Sequence, residues 1–214
     1  MLIVGVTGGI GAGKSEVCKV FKKLGAKVVS ADQIGKEVVE KNPALLRKLV
    51  KVFGPEILNS DGTLNRRKLG KKAFSSQEAK IKLNKIVHPY LLLDLKKNLE
   101  ELKRKKSLNV TVVDAALIIE WGLEKKLDFL IYVYSPRKTR LQRLIEKQGY
   151  SFREALDRMK SQLPELEKKR KADFIIQNDS DLETLYQKTK EQWNNILAFR
   201  RKSPIGTKKI DKKN

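Results

Sequence analysis

The amino-acid sequence predicts an α/β fold with a five-stranded parallel sheet, and three observations carry that expectation. First, Leu2-Ile3-Val4-Gly5-Val6-Thr7, a strand pattern, runs straight into Gly8-Gly9-Ile10-Gly11-Ala12-Gly13 and then into a helical pattern. Second, further short apolar runs at residues 27–30, 109–114, 129–134 and 174–176 alternate with helical patterns. Third, residues 33–107 and 143–171 show helical periodicity and no strand, so they read as an insertion and a hairpin outside the sheet.

The opening stretch fits G-x-x-x-x-G-K-[ST] in the context that gives the pattern a mechanism, strand before and helix after. Glycines let the loop bring its N–H groups against phosphate oxygens, and the helix begun by Lys14 and Ser15 adds the positive end of its dipole. Lys14 is placed to reach the β- and γ-phosphates, and the Ser15 hydroxyl to take a position on Mg²⁺. Gly9, Ile10, Gly11, Ala12, Gly13, Lys14 and Ser15 are therefore the candidate residues for a nucleoside triphosphate.

Val17, Val20, Phe21 and Leu24 give the first helix its apolar face, and Gly25 ends it. Lys27–Ser30 is the second strand. Asp32 lies just past its carboxyl end, the edge that faces ligands in open α/β sheets, although capping the next helix is a competing role. Asn42-Pro43 breaks that helix before the apolar face Leu45, Leu46, Leu49, Val50, Phe53. Asp61-Gly62 makes a turn, Leu69, Ala73 and Phe74 a short helix, and Ser75-x-x-Glu78 a capping box for the next. Pro89 is expected to bend the chain at His88, ahead of a helix through Leu91, Leu95, Leu99 and Leu102.

Val110-Thr111-Val112-Val113 before Asp114 is the strand-then-Asp arrangement in which the carboxylate orients Mg²⁺. Phe129–Tyr134 is the fourth strand, Ser135-Pro136 the start of a helix, and Gly149-Tyr150 its end. The polar stretch from Ser151 to Lys171 is capped by Ser151-x-x-Glu154 and split by Pro164, with Arg143, Arg153, Arg158, Lys168 and Arg170 on or near it. It reads either as a mobile lid whose cations neutralise phosphate or as a solvated hairpin. A helix over 182–199 closes the fold, and residues 200–214 read as a basic, disordered tail.

Composition narrows the class. Hydrophobic content of 40% supports a packed core, and no apolar run reaches the ~18 residues of a membrane span. The strand starts at Leu2 and Cys18 is the one cysteine, so no leader is expected and a reducing cytoplasm is. A formal charge of +22 invites polyanions, but Lys and Arg are scattered over nearly every helix, with one run at Lys103-Arg104-Lys105-Lys106. No specific nucleic acid and no membrane partner are expected.

The run Thr7–Ser15 with Ser30-Ala31-Asp32 downstream resembles the dephospho-coenzyme A kinase family. So do Gly62-Thr63-Leu64-Asn65-Arg66, His88-Pro89, Asp114-Ala115-Ala116-Leu117 leading to Glu120, Arg158-Met159-Lys160-Ser161-Gln162, Lys169-Arg170-Lys171-Ala172-Asp173 and Asn178. The resemblance covers about residues 1–199 in order, and Ser30 stands where many members carry Asp. It implies a three-layer P-loop kinase fold over 1–199 with the acceptor subdomain at 33–107 and the lid at 143–171. It implies ATP-dependent phosphorylation of the ribose 3′-hydroxyl of dephospho-CoA, with Mg²⁺. Asp32 is implied as the acceptor of the hydroxyl proton, beside Lys14. Thr7, Asp32, Arg66, His88, Asp114 and Leu117 are implied on the acceptor side, Arg143 and not Arg140 with Asn178 on the nucleotide side. Arg158, Gln162 and Arg170 are implied in the lid, Ser15 and Asp114 at the metal. The fold alone also admits a nucleoside-monophosphate or other small-molecule kinase, and the charge a nucleic-acid-stimulated NTPase. Oligomeric state is left open.

Overall fold

A computed structural model describes residues 1–104 and 110–202, with side chains up to Phe199. Lys105, Lys106 and Asn109, and the basic tail from Ser203 onward, lie outside the described residues. The sheet is parallel throughout, in the order β2 (Lys27–Ser30), β3 (Val110–Asp114), β1 (Leu2–Gly8), β4 (Phe129–Tyr134), β5 (Phe174–Gln177). β1 is the middle strand. Its Val4 and Val6 are fully buried, as a central parallel strand covered on both faces requires.

One face is covered by α1 (Lys14–Lys23) and α9 (Leu182–Lys202), through Val17, Cys18, Phe21, Leu185 and Ile196. Phe21 is fully buried against Trp193, with ring centroids 6.0 Å apart, a burial worth about 2–3 kcal/mol. The other face meets Leu95 and Leu102 of α5 (Gln77–Arg104) and the segment from Ile118 to Leu123. A third cluster joins α2 (Ala31–Glu40), α3 (Pro43–Phe53), the turn at Pro55–Ile57 and α4 (Arg66–Ala73) to the first half of α5. No strand stands between β2 and β3 among the described residues, so that connection is helical. Among them, too, no helix is long and apolar enough to cross a membrane.

Four local expectations shift. Pro89 does not end a helix: α5 runs through it for 28 residues. An interior proline costs about 3 kcal/mol or more, but Leu91, Leu95 and Leu102 bury on the far side of it at ~1.5–3 kcal/mol each. The cap before α5 is Ser76, whose Oγ accepts from the Ala79 N–H at 3.1 Å, while Ser75 Oγ donates back to Lys72 O. Pro136, not Ser135, is the N-cap of α6 (Arg137–Gln148), and α9 continues to Lys202. The hairpin of α7 (Phe152–Lys160) and α8 (Glu165–Lys171) forms as read, with both halves of the Ser151–Glu154 capping box made.

Candidate active site

The strand register assembles the site. Val6 of β1, Asp114 of β3 and Ser30 of β2 lie abreast, so the glycine loop, Asp114 and Asp32 emerge together at the carboxyl edge of the sheet. Ser30 is the N-cap of α2, accepting from the Gln33 N–H at 3.1 Å. Ser30 therefore takes the capping role that competed for Asp32, which sits in the first turn of α2 with its residue surface exposed at the strand ends.

The loop turns at Gly13, φ 90°, the N-cap of α1, where no side chain caps the helix. Its exposed N–H groups are a ready anion site. The Lys14 stem folds back over the loop: a β-carbon on Gly8 would meet Lys14 Cγ at 3.3 Å. Desolvation by the protein crowded around the strand ends pushes the Asp32 and Asp114 carboxyls above their usual range, and the Lys14 charge opposes the shift in both. Asp32 in turn raises Asp114. Asp114 Oδ1 is buried and accepts no hydrogen bond, while the Cys18 thiol, itself pushed up by burial, donates to the Asp114 carboxyl. Two carboxylates close enough to feel each other and the Lys14 charge, an orphaned Oδ1 and the exposed Ser15 fit a small divalent cation. No group of three His, Cys, Asp or Glu forms a metal cage among the described residues. Mg²⁺ needs none, since it takes one or two carboxylates and completes its shell with phosphate and water.

Three further expected residues brace the loop. Asn178, just past β5, donates from Nδ2 to Ala12 O at 2.8 Å. Arg143 Nη1 donates to Gly11 O at 3.4 Å and to Ser135 Oγ at 3.3 Å. Gln162, in the turn between α7 and α8, accepts from the Ile10 N–H at 2.8 Å. The Thr7 hydroxyl is buried and donates to Ala116 O at 3.2 Å, and the Leu117 carbonyl, one residue on, accepts from the Trp121 N–H. Asn178→Ala is expected to cost about 1–3 kcal/mol by stranding the Ala12 carbonyl, with a raised KM for nucleotide. Thermal unfolding and a KM series check both.

Other expected residues are held by partners of their own. Arg66 pairs with Glu40 at 2.5 Å and donates to Lys36 O. His88 packs edge-on to Trp121 at 5.1 Å, and burial holds its ring below its usual pKa. Arg158 lies between the rings of Phe74 (4.8 Å) and Tyr150 (4.5 Å), tying α7 to the end of α4. Arg170 is on the exposed side of α8.

Arg140, one turn before Arg143, also reaches the loop. Its guanidinium lies against Gly9, where a β-carbon would collide with Nη1, and pairs with Glu165 of α8 at 3.2 Å. With Gly9, Tyr132, Arg137, Gln162 and Lys168 it lines a cavity of about 470 Å³ between loop and hairpin. The signal was present: 140 and 143 are one turn apart, so a helix that presents one to the loop presents both. Lys168, one of the cations on the hairpin, is only 1% exposed and pairs with Glu120; a lysine in a polar helical stretch gives no sign that it points inward.

The dephospho-CoA kinase family model matches residues 2–184. A Bacillus thuringiensis dephospho-CoA kinase is 38% identical over 198 residues, covering 91% of this chain and 98% of its own. A dephospho-CoA kinase of Syntrophotalea carbinolica is 39% identical over 183 residues, covering 86% of each chain. The solved dephospho-CoA kinase of Campylobacter jejuni superposes with a TM-score of 0.66 at 28% identity, covering 91% of this chain and 96% of that one. A shikimate kinase from Acinetobacter baumannii, at 15% identity and TM-score 0.51 over 94% of this chain and 95% of its own, shares the fold alone. The chain belongs to the dephospho-CoA kinase family.

Proposed function

We propose that this protein transfers the γ-phosphoryl group of ATP to the ribose 3′-hydroxyl of dephospho-CoA, giving coenzyme A and ADP. The observation that carries this reading is the meeting of Lys14, Asp32 and Asp114 at the uncapped start of α1, within a chain of that family. The loop N–H groups and Lys14 hold the β- and γ-phosphates. Ser15 and Asp114 would hold Mg²⁺, which supplies positive charge to the phosphate oxygens when bound. The ribose oxygen forms its bond to Pγ as the bond from Pγ to the bridging oxygen breaks. Its proton passes to Asp32, and the electron pair of the broken bond leaves on ADP. A ribose hydroxyl is too weak an acid to ionise beforehand, so Asp32 acts by orienting it and taking the proton late. Arg140 and Arg143 flank the phosphate path, and α7 and α8 form the lid that excludes water. The insertion that holds α3 and α4 presents the acceptor. A cytoplasmic setting suits the free, buried Cys18.

The test is ATP, Mg²⁺ and one acceptor at a time: dephospho-CoA, AMP, CMP, a sugar, or none. Fast ADP release with dephospho-CoA alone and a 3′-phosphorylated product supports the reading; transfer to a monophosphate instead overturns it.

The acid limb of the rate profile is a second check. The ionised Asp32 is the working form and its pKa lies above the ordinary 3.8, so turnover is expected to fall at higher pH than for an ordinary aspartate. Stability runs the other way for this group: a carboxylate whose pKa is raised by desolvation is relieved, not stranded, by protonation. The capping carboxylates Glu154 and Asp181 are held low by backbone hydrogen bonds, so their contribution is lost only at still lower pH. Circular dichroism is therefore expected to stay native where turnover is already falling.

A further inference from the structure

Glu120 sits in the segment after β3, outside the group of residues assigned to the reaction above. Its side chain is 10% exposed and pairs with Lys168 of α8 at 3.0 Å. Its Oε1 also accepts from the backbone N–H of Leu163, in the turn between α7 and α8, at 3.2 Å. Lys168 makes a second bond, to Ala116 O at 3.2 Å, the same carbonyl that accepts from the Thr7 hydroxyl at the end of β1. A single side-chain pair thus joins the hairpin to the strand ends that carry Asp114 and the phosphate loop.

The third side of the joint is α5. Lys80 on that helix is buried and feels the Glu120 charge. Between α5 and the hairpin lies a cleft of about 380 Å³, lined by Lys80 and Asn84 on one side, Lys160 and Gln162 on the other, with Glu120 among them. Glu120 Oε2 is buried and accepts no hydrogen bond. The joint is therefore made on the hairpin side, through Oε1, and left with Oε2 as a spare buried acceptor.

Such a pair is a costly way to add stability. Burial pushes the Lys168 ammonium below its usual range even with Glu120 beside it. Buried ion pairs replaced by apolar side chains of similar volume often leave a fold as stable or more so. What the pair does supply is direction: apolar packing tolerates sliding, whereas one carboxylate shared by a backbone N–H and an ammonium admits one placement.

We infer that Glu120 is a positioning residue which couples the placement of the α7–α8 hairpin to α5, so that phosphoryl transfer is favoured over hydrolysis. This rests on the kinase reading above. When α5 closes on an acceptor, Lys80 completes Glu120 through Oε2, and the same carboxylate holds Lys168 and Leu163 of the lid in the water-excluding position. Without the carboxylate, lid and acceptor side move independently, and water reaches the γ-phosphate.

The experiment compares the full-length wild type with Glu120→Gln and with Glu120→Gln/Lys168→Met. The readout is the ratio of dephospho-CoA phosphorylation to acceptor-free ADP release, taken on the same sample so that any unfolded fraction cancels. Glutamine keeps an acceptor for Leu163 but leaves Lys168 without its counter-charge; the double variant removes both charges and is expected to regain the thermal midpoint. The ratio is expected to fall at least ten-fold in both variants. An unchanged ratio in Glu120→Gln, or a ratio restored with stability in the double variant, makes the pair merely structural and overturns the inference. A wild type that leaves dephospho-CoA unphosphorylated removes the kinase reading itself, a distinct result.

Discussion

Asp32→Asn is expected to leave ATP affinity within about two-fold of wild type and to lower kcat by roughly 10²–10⁴-fold, the usual reach of a positioned general base. Asparagine matches the carboxylate in size and is neutral, so the uncapped start of α1 and the loop that meets phosphate are untouched. The cap of α2 is Ser30, so its first turn is untouched as well, and a fall in activity cannot be charged to a frayed helix. What is removed is the group proposed above to take the ribose proton. The amide can still hold the hydroxyl in line but cannot accept its proton, so the loss belongs in kcat with little change in the KM for ATP. Single-turnover rates beside equilibrium nucleotide binding check the two halves separately. A rate near that of wild type would falsify the assignment of Asp32.

Lys14→Ala is expected to raise the KM for ATP and to lower kcat/KM by about 10³-fold, or about 4 kcal/mol of transition-state stabilisation. Two losses combine. On the proposed mechanism the β- and γ-phosphates lose a cation, and Asp32 and Asp114 lose the charge that opposes their desolvation. The second loss has its own signature: the acid limb of the rate profile moves to higher pH, because both carboxyls rise further once Lys14 is neutral. Lys14→Met separates charge from packing, since it keeps the stem that folds over Gly8. Methionine and alanine variants that fall alike assign the effect to charge. A methionine variant near wild type would assign it to loop geometry instead.

Phosphate chemistry was legible because it is written in consecutive residues. The loop from Gly8 to Ser15 fits phosphate through backbone N–H groups and the Lys14 and Ser15 side chains at its end, all within one short stretch of chain. The five strands were legible for a similar reason: in a sheet buried on both faces each strand is a short apolar run, and the residues just past its carboxyl end face the ligand. Asp32 and Asp114 were found that way. The register Val6–Asp114–Ser30 then brings them together, a pairing no local pattern specifies.

Pro89 marks the other limit. Its local preference is real, yet α5 is buried on the far side of it by Leu91, Leu95 and Leu102 against partners distant in the chain, and that burial outweighs one lost hydrogen bond. Ser76 replaces Ser75 as the cap because the Ser75 hydroxyl is already engaged with Lys72 O at the end of α4, a contact no local pattern announces.

Motif, strand order in the chain and the place of Asp32 and Asp114 just past their strands follow from chemistry local to a few residues, and the sequence carries them unaided. Arg140 on Gly9, Arg158 between Phe74 and Tyr150, and the pairing of Lys168 with Glu120 do not. Each is a contact between segments far apart in the chain, and a charged side chain on a polar helix looks the same in sequence whether it faces water or a buried partner. Packing decides which, because only the folded arrangement supplies the carboxylate, ring or glycine that makes burying the charge tolerable.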